Sequence, residues 1–207
     1  MLICPLFGFG QINIKEKNQI DAFFNGWNLE NHPGGVVGVL KSDEIIYLNA
    51  FGNASLEYKV PNNTSTVFNI GSISKQFTAM GIVLLQQRGL LSVDDAVQKY
   101  FPEFPIFRNP ITIRHLLQHT SGLRDFHELM ALAGWRGDDY RTNEDIIRLV
   151  QKQTDLNFNP GDKFMYSNTG YVVLAEIIER VTGEDFKVWM QNNVFEPLQM
   201  KNTYVED

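Results

Sequence analysis

Thr66-Val-Phe-Asn-Ile-Gly-Ser-Ile-Ser-Lys-Gln-Phe-Thr-Ala79 is the stretch on which the reading of this chain turns. It opens the longest helix signal in the sequence, which begins near Ser72, carries Phe77, Met80, Ile82, Val83, Leu84 and Leu85, and ends at Gly89. Ser72 and Lys75 stand three residues apart, and positions i and i+3 share a face of a helix. The Ser72 hydroxyl and the Lys75 amine can therefore meet where the helix starts. A Ser–Lys pair is a recognised way to activate a hydroxyl nucleophile. A serine N-cap followed by a solvated lysine gives the same four residues, so the tetrad alone decides little.

Upstream, Ile20, Phe23, Phe24 and Trp27 have helical spacing within 15–27, and His32-Pro33-Gly34-Gly35 breaks that helix. Val36–Leu40 and Ile45–Phe51 read as a hairpin joined by a short polar link, and Gly52–Thr66 reads as loop. Downstream the signals are helical. Ser92-Val-Asp-Asp95 is a capping pattern for a short helix, Thr112 caps another through Leu116 and Leu117, and Thr142 caps one that runs to about Gln151. Tyr171, Val172, Leu174, Ile177, Ile178 and Val181 mark a helix closed by Gly183, and a last one runs from Glu184 to Val194.

The start of the Tyr171 helix holds the second chemical element, Tyr166-Ser167-Asn168. A phenol beside an amine can relay protons, because the cation stabilises the phenolate. An Asn carboxamide offers a donor and an acceptor to a substrate amide. A buried Tyr with an Asn cap is the plain structural alternative.

Composition narrows the classes. Of 207 residues, 43% are hydrophobic and 12% aromatic, enough for a packed core. A net charge of −6 argues against a nucleic-acid partner. No apolar run reaches the 18 or more residues of a membrane span. The single cysteine, Cys4, excludes an internal disulfide framework and a thiolate zinc cluster. The largely apolar residues 1–11 read as the remnant of an export signal lacking its basic n-region, which would make the protein periplasmic or secreted, with an ordinary buried N-terminal segment as the alternative.

Ser-x-x-Lys followed much later by Tyr-x-Asn resembles the serine β-lactamase and penicillin-binding-protein family, in its class C β-lactamase, D-Ala-D-Ala carboxypeptidase and esterase branch. Residues 66–79 resemble the nucleophile segment of that family. Ile111-Thr-Ile-Arg-His-Leu-Leu-Gln-His-Thr-Ser-Gly-Leu123 is similar to its next block, as are Pro160-Gly161 with Tyr166-Ser-Asn-Thr-Gly-Tyr171, and Phe195-Glu-Pro-Leu-Gln-Met-Lys-Asn-Thr203 with Gln199 in place of the usual Gly. The resemblance implies an α+β fold of β-lactamase/transpeptidase type, an antiparallel sheet flanked by helices plus a mostly helical region. It implies Ser72 as acylated nucleophile, Lys75 and Tyr166 as proton-transfer groups, and Asn168 as substrate-binding residue. How Lys75 and Tyr166 divide the proton stays open, since coupled groups titrate as a unit. No cofactor or metal is implied, and the partner is a β-lactam, peptide or ester substrate.

The third motif of that family, Lys-Thr-Gly or His-x-Gly on a strand, has no counterpart after Asn168; Val181-Thr182-Gly183 lacks the cation. The expectation is therefore residues 12–207 as an incomplete domain with its C-terminal strands missing, 12–90 starting the α/β part and 91–200 the mostly helical region. One absent oxyanion donor costs about 3–4 kcal/mol of transition-state stabilisation, so little turnover is expected of this chain alone. A non-catalytic fragment that binds peptidoglycan-like peptides is the alternative. His115 and His119 have the i, i+4 spacing of a zinc pair, with His127 as a third candidate, but Leu116 stands where a catalytic Glu belongs. No Gly-x-Ser-x-Gly elbow surrounds Ser72 or Ser74. Trp135, Tyr140 and Trp189 could line a cleft or fill the core.

Overall fold

The computed structural model describes residues 12–29 and 31–206, so the export-signal reading of residues 1–11 lies outside the described residues. Contacts within the chain divide it into two units, one up to Phe68 and one from Asn69 onward.

The first unit begins with α1 (Ile14–Phe24), whose Asn13 and Glu16 form a reciprocal capping box. Strands β1 (Gly35–Lys41) and β2 (Glu44–Phe51) pair antiparallel from Gly35 opposite Phe51 to Lys41 opposite Glu44. The link is two residues, Ser42 and Asp43, both at positive φ, a turn whose twist suits a hairpin. Asp21 on α1 accepts hydrogen bonds from the Tyr47 hydroxyl at 2.6 Å and from Asn49 Nδ2 at 2.9 Å, tying helix to sheet. The stretch expected as loop contains a second small ladder, β3 (Asn53–Ser55) with β4 (Val60–Pro61). Its polar, Asn- and Ser-rich sequence lacks the alternating apolar pattern that announces a strand.

The second unit is helical. α2 (Lys75–Gln87) buries Gly81, Ile82 and Leu85. The helix expected after Ser92 is instead a turn followed by a three-residue 3-10 helix, Val97–Lys99. Backbone groups there are drawn away to the 111–114 segment, with Val97 N–H on Ile111 O at 2.9 Å and Arg114 N–H on Val93 O at 2.7 Å. α3 (Ile113–Leu117) starts at Thr112 as expected, and His115 Nδ1 returns the cap by accepting the Thr112 N–H. α4 (Phe126–Leu132) was not foreseen, although Asp125-x-x-Glu128 has the spacing of a capping box. α5 (Asn143–Gln151) starts at Thr142 as expected.

α6 (Asn168–Thr182) is the axis of the unit, packing against α2, α3, α4, α5 and α7 (Phe186–Met190). It buries Thr169, Gly170, Val173, Leu174, Ile177 and Ile178, a stripe at helical spacing, and ends on Gly183 in left-handed backbone. The core joins α2 and α6 to Ile111, Ile113, Trp189, Met190 and Phe195. A Cβ on Gly81 would lie 2.8 Å from Ile178 Cδ1 and 3.1 Å from the Trp189 ring, so α2 sits on α6 and α7 as closely as a glycine allows. Trp189 is thus core, while Tyr140 is exposed. Beyond α7 a short π-helical turn, Gln191–Phe195, carries buried Val194 and Phe195. Among the described residues no helix is long and apolar enough to cross a membrane.

Candidate active site

Ser72 lies in a single 3-10 turn, Gly71–Ser74, that feeds directly into α2. The α-helix proper begins at Lys75, three residues later than its apolar pattern implies. Gly71 makes this entry possible: its φ is +53°, and its N–H is held by Asn69 Oδ1 at 2.9 Å. Ser72 stays exposed while the Lys75 side chain folds back, with Nζ 3.2 Å from Ser72 Oγ.

The facing wall is the loop before α6. Tyr166 donates its hydroxyl to Ser72 Oγ at 2.8 Å across 94 positions of sequence, and Lys75 Nζ donates to Asn168 Oδ1 at 2.8 Å. All four residues singled out from sequence therefore meet around one hydroxyl oxygen and one ammonium. Interaction with Lys75 first, and with Ser72 second, holds the Tyr166 phenol below the usual tyrosine value.

The loop is built on the segment between α3 and α4. His119, in left-handed backbone at φ +57°, accepts the Met165 N–H on its carbonyl at 2.9 Å and the Ser167 N–H on its Nδ1 at 3.2 Å. Its ring stacks on Tyr166, centroids 4.5 Å apart, and on Tyr171 at 5.2 Å. Burial, and then the charge of Lys75, hold its pKa below that of a free imidazole, which keeps Nδ1 an acceptor. Thr120 O takes the Gly161 N–H at 2.9 Å and Gly122 O takes the Asn157 N–H at 2.8 Å. Gly122 has φ +74°, and a Cβ there would stand 2.2 Å from Phe158 O. Only glycine lets the two segments approach this closely.

His115 and His119 thus spend their Nδ1 atoms on backbone N–H groups, of Thr112 and Ser167 respectively. Among the described residues no group of three His, Cys, Asp or Glu side chains could hold a metal ion.

Asp125 was not singled out from the sequence. It ends the same segment, and its carboxylate accepts both the backbone N–H and the Nδ2 of Asn168. The Asp125-x-x-Glu128 spacing was the available signal for its capping role; nothing in the sequence marked its reach to Asn168.

A family model described as Beta-lactamase matches residues 21–207. The chain belongs to the beta-lactamase family. Among its relatives, penicillin-binding protein 4* of Bacillus subtilis (strain 168) is 35% identical over 191 residues, which is 92% of this chain and 42% of that protein. A D-aminopeptidase of Cereibacter sphaeroides (strain KD131 / KCTC 12085) is 33% identical over 175 residues, 84% of this chain and 33% of its own length. The octameric penicillin-binding protein homologue from Pyrococcus abyssi superposes with a TM-score of 0.76 at 33% identity, over 88% of this chain and 43% of that one. The beta-lactamase-family chain thus spans less than half the length of each of these three proteins, and it carries the α+β fold expected from its motifs.

Proposed function

We propose that this chain carries the nucleophile-bearing portion of a serine acyl hydrolase that forms an acyl-enzyme on Ser72 with β-lactam, D-Ala-D-Ala peptide or ester substrates. The observation that carries the reading is the convergence of Tyr166 Oη at 2.8 Å and Lys75 Nζ at 3.2 Å on one Ser72 oxygen that is open to solvent.

In this mechanism Ser72 Oγ attacks the acyl carbonyl while its proton passes to the Tyr166–Lys75 pair. The lowered phenol makes the phenolate accessible nearer neutrality, with the Lys75 cation beside it. The same pair returns the proton to the leaving nitrogen or oxygen as the tetrahedral intermediate collapses. Water then repeats the sequence on the acyl-enzyme, its proton taken by the pair and delivered to Ser72 as the acid departs. Asn168, its Oδ1 on Lys75, keeps an Nδ2 proton to offer a substrate carbonyl. The names of the relatives, a penicillin-binding protein and a D-aminopeptidase, favour acyl groups bearing D-amino acids or their β-lactam mimics. Such substrates belong to the cell wall, which fits the proposed export.

Incubation with a fluorescent penicillin and with p-nitrophenyl acetate, followed by intact-protein mass spectrometry, tests the reading. The expected result is a mass adduct on Ser72 that Ser72→Ala abolishes. Labelling that survives Ser72→Ala, or none in the wild-type chain with either reagent even over an incubation long enough to offset the slowing from one absent oxyanion donor, refutes it.

A further inference from the structure

The geometry points to Asp125 as a positioning residue that locks the Asn168 carboxamide with its oxygen towards Lys75. This deepens the acyl-transfer reading and rests on it.

A carboxylate can only accept, whereas a carboxamide can turn over and exchange its donor for its acceptor. Asp125 Oδ2 lies 3.0 Å from Asn168 Nδ2, and Lys75 Nζ lies 2.8 Å from Asn168 Oδ1. With an obligatory acceptor on one side and an obligatory donor on the other, only one orientation of the amide satisfies both. Reversal would set NH₂ against the ammonium and C=O against the carboxylate, with both bonds lost. Lys75 Nζ reaches Ser72 Oγ from the position that Asn168 Oδ1 helps to fix. The carboxylate therefore acts on the nucleophile through two intermediaries.

Asp125 also caps. Its Oδ1 accepts the His127 N–H at 3.0 Å at the start of α4, and its Oδ2 accepts the Asn168 N–H at 2.5 Å at the start of α6. The N-cap residue of α6, Ser167, makes no side-chain cap bond, so Asp125 takes over that service from outside the helix. Capping alone would make Asp125 a stability residue, and the test must separate the two roles.

Asn168→Ala does so, because it removes the carboxamide and leaves the backbone N–H that Asp125 caps. Asp125→Ser retains a good N-cap for α4 but is too short to reach Asn168. Asp125→Thr, also an accepted N-cap and likewise too short to reach Asn168, is the second variant if the first does not fold, with the same expected result. The readout is the rate constant of Ser72 labelling by p-nitrophenyl acetate, followed by intact mass, in a double-mutant cycle. Asp125→Ser is expected to slow labelling about 10–100-fold in the wild-type background, the usual cost of losing an orienting partner, and less than threefold in Asn168→Ala. Labelling by Asp125→Ser within threefold of wild type, or an undiminished cost in the Asn168→Ala background, overturns the assignment. In parallel, the side-chain amide resonances of Asn168 in ¹⁵N-asparagine-labelled protein should show one downfield, slowly exchanging Nδ2 proton that Asp125→Ser abolishes. A chain that never labels at Ser72 refutes the acyl-transfer reading, and these resonances then decide for or against the lock by whether they change.

Discussion

Removing one oxygen atom, in Tyr166→Phe, separates the chemistry of the site from its architecture. The ring of Tyr166 stacks on His119 at 4.5 Å, and that contact survives the substitution. What is lost is the 2.8 Å bond from Tyr166 Oη to Ser72 Oγ, made by two exposed groups. A neutral hydrogen bond of this kind contributes about 0.5–1.5 kcal/mol to stability even when well shielded, so the melting temperature should fall by only a few degrees. General acid–base catalysis is worth about 10²–10⁴-fold, equivalent to about 2.7–5.4 kcal/mol of barrier at 1.36 kcal/mol per decade. The two figures differ enough for one variant to decide. Rapid-quench mass spectrometry of Ser72 acylation by p-nitrophenyl acetate gives the rate, and differential scanning fluorimetry gives the stability. The expected outcome is a loss of at least a hundredfold in rate with the fold retained. A Tyr166→Phe protein that acylates within threefold of wild type would mean that Lys75 alone handles the proton, and the shared role of the phenol would be abandoned.

Gly122→Ala should be among the most damaging single-methyl additions in this chain. Left-handed backbone costs a residue with a Cβ about 1–2 kcal/mol, and crowding Phe158 O adds about 1–3 kcal/mol. Urea denaturation should show the combined loss, and an unchanged midpoint would contradict the geometry. Asp95, held by Lys99, Tyr100 and the Ser92 N–H, has its pKa lowered to about 2. Its contribution is therefore complete above the unfolded value of 3.8 and vanishes as pH falls to about 2. The stability gap between wild type and Asp95→Asn, measured by denaturation at several pH values, should close over that window. Burial lowers His119 and His115 below 6.5, so both must be charged against the fold in acid; stability is full above pH 6.5 and declines as pH falls through their folded values. His119→Gln should flatten that decline, and His115→Gln combined with it should flatten it further; an unaltered pH–stability slope would count against the argument. Thr112→Ala should cost about 1 kcal/mol through loss of the α3 cap, with Thr112→Ser restoring most of it.

Elements whose ends carry side-chain signals were legible in the sequence. Thr112 and Thr142 announced α3 and α5, Gly183 closed α6, and the apolar runs around Lys41–Glu44 announced the hairpin. Two misreadings share a physical cause. Ser92–Asp95 has the composition of a helix cap, yet its backbone partners lie in the 111–114 segment, a long-range competition that local patterning does not encode. Apart from Val60, the 53–61 ladder consists of residues with weak strand preference, paired because neighbouring backbone brings them together. In both places tertiary hydrogen bonding overrides propensity.

The site was legible to different degrees for the same reason. Ser72 and Lys75 lie one turn apart, so helix geometry alone predicted their meeting, even though the turn proved to be 3-10. Nothing local says that Tyr166, 94 positions away, ends on the same oxygen; motif order in a family supplied that expectation, and packing of α6 against α2 realises it. Asp125 carried only a local capping signal, and His119, though inside the 111–123 block and spaced as a pair with His115, carried none that placed it beneath Tyr166. Their function is to hold other side chains, by a carboxylate on an amide and an imidazole under a phenol, and such support depends on which loops are adjacent. Supporting residues of this kind become visible only once the loops are in place. For that reason the residues that orient a reactive group, more than the reactive group itself, depend on tertiary contacts that no local motif encodes.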